Sequence, residues 1–185
     1  MAATVKRQIA LYATGDGKPV DIVRGKIAAS QGILVPGSGL YLSTSGTWKA
    51  CDTSDGSDAW HGFFVGLDDT SAAWKITAEL AANTVIKIAL IDPHDLYAVY
   101  FCTGTHAAGS DIAAAVTNKG IKYGLDVGAA SGYVGHVLLD VTNSNDTVLV
   151  VDVLSEVETA KAAAADSPGV GIVKFLDAVV TAEKA

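Results

Sequence analysis

The chain has 185 residues, half of them hydrophobic, and a formal net charge of −7. That length holds one sizeable domain or two small ones, with enough apolar mass for a core that needs no disulfide or metal staple. The acidic balance argues against a nucleic-acid groove, no apolar run nears the roughly 20 residues that cross a bilayer, and the start Met1-Ala2-Ala3-Thr4-Val5-Lys6-Arg7 lacks the apolar stretch of a secretory leader.

The charge is uneven. Lys6, Arg7, Lys18, Arg24 and Lys26 face only Asp16 and Asp21 in the first 26 residues, whereas the remainder is strongly acidic. The basic leading segment reads either as a solvated first strand or as an arm for an acidic neighbour. Val5 to Ala13 is predicted as a strand closed by a turn at Gly15-Asp16-Gly17, and Val20 to Val23 resumes the extended pattern. Gly32 to Val35, Leu40 to Ser43 and Thr47 to Asp52 follow as short strands, separated by Pro36-Gly37-Ser38-Gly39 and Ser45-Gly46. Trp60 to Leu67 is a strand rich in aromatics. Asp68 to Ala72 connects two halves, which gives a module over 1–70 and another over 71–185, or one continuous domain.

Beyond that connection, Trp74, Ile76, Ala78 and Leu80 alternate with polar residues as a half-buried strand does, with helix as the alternative because Ala, Leu, Glu and Lys favour it. Thr84 to Ile91 and Leu96 to Cys102 are strands joined across Asp92-Pro93, because proline cannot donate to a sheet ladder and belongs in the turn. Both faces of Leu96 to Cys102 are apolar, so both require cover. Ser110 is expected to cap a short helix ending at Gly120. Ile121 to Leu125 and Tyr133 to Val141 are strands, and Val141 to Leu154 resembles a hairpin about Asn143-Ser144-Asn145-Asp146. Ser155-Glu156-Val157-Glu158 has the pattern of a capping box opening an alanine-rich helix to about Ala165. Gly171 to Val180 is read as a closing strand. The predicted class is mainly β: an antiparallel β-barrel or sandwich with one or two short helices. No internal repeat of fixed period is visible.

Chemistry-bearing residues are scattered. Asp92-Pro93-His94-Asp95 offers a histidine between carboxylates, but Asp-Pro and Asp95 also suit a turn. His61, His94, His106 and His136 show no local metal-ligand spacing, and Cys51 and Cys102 form no C-x-x-C motif. No Gly-x-Ser-x-Gly elbow and no phosphate loop occur. Neither a catalytic set, a metal nor a cofactor is expected. Trp48, Trp60 and Trp74 are candidates for core packing or for a contact patch. The residues selected for protein contact are Lys6, Arg7, Trp60, Trp74, Tyr97 and Phe101.

From Ser110-Asp111-Ile112 through Gly120-Ile121-Lys122-Tyr123-Gly124-Leu125 the order of elements meets a resemblance. A short helix, a Gly-x-Lys-Tyr-Gly-Leu strand, a Ser-Gly-Tyr hairpin, the segment Asp140-Val141-Thr142-Asn143-Ser144-Asn145-Asp146, a valine-rich strand and a closing strand about Val173 to Val179 follow in turn. Over about residues 60 to 180 this resembles the small auxiliary capsid proteins of tailed bacteriophages, the decoration or cement proteins. Gly32-Ile33-Leu34-Val35 and Gly62-Phe63-Phe64-Val65-Gly66 are similar to the β-barrel modules of such proteins.

The resemblance implies a non-enzymatic structural protein on the exterior of an icosahedral capsid. Such a protein is made in the host cytoplasm, often forms a trimer, and bridges subunits of the major capsid protein to stabilise the shell. The acidic balance and the lack of a bilayer-length apolar run make nucleic-acid and membrane partners unexpected. Two competing readings come from the residues themselves. The first is a carbohydrate- or ligand-binding module of a phage fibre, motivated by Trp48, Trp60, Trp74 and Tyr133. The second, ranked last, is a metal-dependent hydrolase using histidine and aspartate.

Overall fold

The computed structural model describes residues 9–15, 17–51, 59–68, 78–103, 110–111, 116–130, 133–142, 145–153 and 169–181. Its described residues are dominated by strands, as the turn-bounded β-branched runs require. In chain order these are β1 (Ala10–Ala13), β2 (Ile22–Lys26), β3 (Ile33–Leu34), β4 (Gly39–Leu42), β5 (Trp48–Ala50), β6 (Gly62–Leu67) and β7 (Val85–Leu90). Then follow β8 (Leu96–Thr103), β9 (Ser110–Asp111), β10 (Lys122–Ala130), β11 (Tyr133–Asp140), β12 (Val148–Val153) and β13 (Val170–Phe175). A single helical turn, α1 (Asp177–Val180), closes the described chain, and Val116–Asn118 form a 3-10 turn.

The strands make two sheets, and each returns on itself. One runs β2-β7-β6-β4-β5, entirely antiparallel, with a parallel bridge from Ile27, just past β2, to Trp48 of β5. The other runs β8-β13-β12-β10-β11, and β11 then pairs in parallel with β8. Five strands cannot close with every neighbour antiparallel. An odd ring needs one parallel seam, and each sheet has one. Closure pairs the outer strands of each ring with one another, which limits edge-to-edge association there. β1 and β9 are added antiparallel to β8, and β3 is added parallel to β11.

The pairings cross the division expected near residue 70: β7 belongs with β2 and β6, while β1 and β3 join the later strands. Three local expectations are corrected. Ser110 and Asp111 are strand residues against Thr103 and Cys102, so Ser110 is not a helix cap. The hairpin read over Val141 to Leu154 does not form, because β11 is held between β10 and the seam with β8, and β12 lies between β10 and β13. The closing strand stops at Phe175, and Asp177 starts the helical turn in the favourable first-turn position for an acid. The capping-box helix and the strand from Trp74 to Leu80, apart from its last residues, lie outside the described residues.

Two cores follow from the alternation of side chains along strands. Ile27, Leu34, Leu40, Trp48, Phe64, Ile86 and Ile88 form the core of the first ring. Val99, Phe101, Leu125, Val127, Val137, Leu139, Val148, Val150 and Val173 form that of the second. Consecutive residues of β6 serve both: Phe64 points into the first core and Phe63 into the second. The two rings therefore share a wall.

Candidate protein-contact site

Trp60, Phe63, Tyr97 and Phe175 meet at that wall. Tyr97 and Phe175 cross nearly perpendicular with ring centroids 5.3 Å apart, and Phe63 lies 5.5 Å from Tyr97 and 5.9 Å from Phe175. Trp60 completes the cluster 5.8 Å from Phe175. Tilted and edge-on contacts of this kind add to the burial of the rings. Burial, opposed in part by the hydrogen bond from the Asp92 amide, pushes the Tyr97 phenol well above the usual tyrosine range.

The structure places three of the residues selected from sequence inside the fold. Trp60 is 3 % exposed, Tyr97 3 % and Phe101 fully buried, so their rings fill the core. Trp48 is likewise interior at 7 % exposure, which removes it from any sugar-stacking platform. Lys6, Arg7 and Trp74 lie outside the described residues, and the side chain of Tyr133 is not described. Of the two apolar faces of β8, one (Tyr97, Val99, Phe101) is fully covered, while Leu96, Ala98 and Tyr100 on the other are half-buried.

The surface instead offers a cleft that the sequence did not reveal. Leu11 of β1, Ile22 of β2 and Val65 of β6 are 42 %, 59 % and 40 % exposed and line a cavity of about 300 Å³, with Phe63 and Tyr97 at its base. Cross-strand register explains the convergence. Ile22 stands opposite Ala89, Ala89 opposite Phe63, and Leu11 opposite Tyr97, which forms an apolar row from the outer face of the first ring to the edge strand of the second. Val65 joins the row because a bulge between Phe64 and Gly66 leaves it unpaired and turned outward. That bulge has no sequence signal of its own.

A second cavity of about 310 Å³ adjoins the first through Val20 and Leu90, and is bordered by Lys18, Asp21, Asp92 and Asp95. The carboxylates of Asp92 and Asp95 serve the backbone. Asp92 Oδ1 accepts from the His94 amide at 2.8 Å and lies 2.9 Å from His94 Nδ1, and Asp95 Oδ1 accepts from the Gly15 amide at 2.9 Å. Asp92-Pro93-His94-Asp95 is thus a hydrogen-bonded turn. His61 Nδ1 accepts from the Leu42 amide at 2.8 Å, Cys51 and Cys102 are buried, and the Cys51 thiol donates to the Ala59 carbonyl at 3.7 Å. Among the described residues no three His, Cys, Asp or Glu side chains gather as metal ligands, and no helix is long and apolar enough to cross a membrane.

No family model matches the chain, and no curated protein matches it at a significant level.

Proposed function

We propose that the chain is a structural virion protein that decorates the outside of an icosahedral phage capsid and bridges subunits of the major capsid protein, with trimers as its associating form. The observation that carries this reading is the cleft. Three large apolar side chains left in water converge where edge strand β1 meets the outer wall of the first ring. The basic Lys6-Arg7 segment directly precedes that strand in the chain. A monomer gains nothing by exposing such a row, whereas a protein contact covers it. The acidic remainder gives the basic leader a role at a junction between copies or with an acidic capsid surface. Two closed rings with separate cores supply the stiffness that a clamp on a pressurised shell requires.

Co-sedimentation with purified phage capsids tests the reading. Saturable binding at a fixed ratio to the major capsid protein is expected, together with a trimer mass in solution. Protein left wholly in the supernatant, across capsids that lack their own decoration protein, would reject it.

A further inference from the structure

We infer that the chain is an internal duplication: the two rings are copies of one five-stranded barrel, matched strand for strand and residue for residue. Label the five ring strands of either copy first to fifth in chain order. In both, the first pairs with the fifth, the fifth with the fourth, the fourth with the second and the second with the third. The third then closes in parallel on the first.

Shared topology alone would be weak, but the registers also agree. Val23 opposite Ile88 corresponds to Tyr97 opposite Val173, and Lys26 opposite Val85 to Tyr100 opposite Val170. Ile88 opposite Phe64 then corresponds to Val173 opposite Val150, and Gly62 opposite Leu40 to Val148 opposite Tyr123. Continuing, Leu42 opposite Trp48 corresponds to Leu125 opposite Leu139. Each pairing fixes the next match, so the fifth is already determined when the seam is reached. The seam pairs Ile27 with Trp48 and Phe101 with Leu139. These are the residues that the circuit requires. An accidental likeness would have returned out of step, because a one-residue slip puts every side chain on the wrong face.

The irregularities coincide as well. The fourth strand carries a bulge in each ring, between Phe64 and Gly66 and between Val150 and Asp152, and the skipped residue is an exposed valine both times, Val65 and Val151. The packing beside the seam is preserved by exchange. In the first ring Gly25 stands opposite Ile86, and a Cβ on Gly25 would lie 2.2 Å from the Trp48 indole nitrogen. In the second ring the matching pair is Val99 opposite Gly171, and a Cβ on Gly171 would lie 2.7 Å from the Phe101 ring. Each ring thus places one glycine, one aromatic ring and two aliphatic side chains at these four positions, with the glycine and the ring moved to the facing strand. Filled volume is the property that a core retains while its sequence drifts. Along the matched strands only Leu42 and Leu125, Val65 and Val151, and Val85 and Val170 remain identical, which is why no repeat shows in the sequence.

The test transplants the second arrangement into the first in the full chain. Gly25→Val alone drives a side chain into Trp48 and is expected to lower the denaturation midpoint sharply. Adding Ile86→Gly, Ile27→Phe and Trp48→Leu is expected to recover at least half of the loss. A quadruple variant no more stable than Gly25→Val would overturn the inference. Should Gly25→Val not fold, hydrogen-bond scalar couplings in the unsubstituted chain decide it. A coupling from the Ala28 amide to the Trp48 carbonyl, and couplings that place the register shift at Val65 and at Val151, are expected, and absence of that coupling, or bulges at other positions, would refute it. Neither measurement depends on capsid binding, so the shell reading stands or falls apart from it.

Discussion

The amide of Gly15 donates to the carboxylate of Asp95 across 2.9 Å, tying the loop after β1 to the turn that joins one ring to the other. Asp95 is only 6 % exposed. Replacing it with alanine leaves that amide without its partner, at a cost of about 1–3 kcal/mol. Asp95→Ala should therefore shift the urea midpoint downward while Asp95→Asn, which keeps an acceptor oxygen, shifts it less. Equal shifts for both would show that charge, and not the hydrogen bond, is what matters there.

The shared wall should be the most sensitive part of the molecule. Phe175 is 1 % exposed and touches Trp60, Phe63 and Tyr97. Phe175→Ala is expected to cost about 3–5 kcal/mol, the range for deleting a buried phenylalanine ring. Chemical denaturation checks this, and a loss below about 1 kcal/mol would mean that the ring is not enclosed as described.

Surface and contact are separable at Ile22. At 59 % exposure, Ile22→Ser should leave stability within about 0.5 kcal/mol. If the cleft is the capsid contact, capsid affinity should fall at least tenfold in the co-sedimentation assay. Undiminished binding would remove the cleft from the proposed interface without touching the fold.

The pH response has opposite signs at two sites. Tyr97, raised by burial, stays protonated in the folded chain after an unfolded tyrosine ionises near about pH 10. Its stabilising contribution is complete below that pH and is lost as pH climbs toward the folded value, so alkaline unfolding should accompany its ionisation. Asp152 is lowered, first by the hydrogen bond from Lys119 at 2.5 Å and then by the Val153 amide. Its contribution is present above the unfolded carboxylate range and is lost as pH falls through the folded value. Ultraviolet titration follows the tyrosine, and carboxyl NMR shifts in Lys119→Met follow the aspartate, whose pKa should rise in that variant.

The thiols give a direct check on burial. Cys51 is fully buried and Cys102 is 2 % exposed. Both should resist a disulfide reagent in native buffer and react together in denaturant. Rapid native labelling of either would contradict its position in the core.

Strands were legible wherever β-branched runs ended in turn residues, as at Val85–Leu90, Leu96–Thr103 and Val148–Val153. Their partners were not. The sequence around Asn143 reads as a hairpin turn, yet β11 is committed to β10 and to the seam with β8, so β12 must pair elsewhere. Ser110 has the chemistry of a helix cap, but it pairs with Thr103 along the edge of β8 and is a strand residue there. Apolar side chains announce that they will be covered, not by what. Trp60, Tyr97 and Phe101 were covered by their own chain, while Val65 was turned outward by a bulge set by its neighbours' register.

The two seams are unequal in size. Ile27 and Trp48 make one bridge, whereas Tyr100 to Cys102 and Leu138 to Asp140 make three pairs. A ladder held at a single rung opens more often than one held at several, so the seam of the first barrel is expected to open before that of the second. Solvent deuterium should reach the amide of Ala28 well before that of Val141, and any partner that grips the first seam would find there the closure with more freedom left to lose.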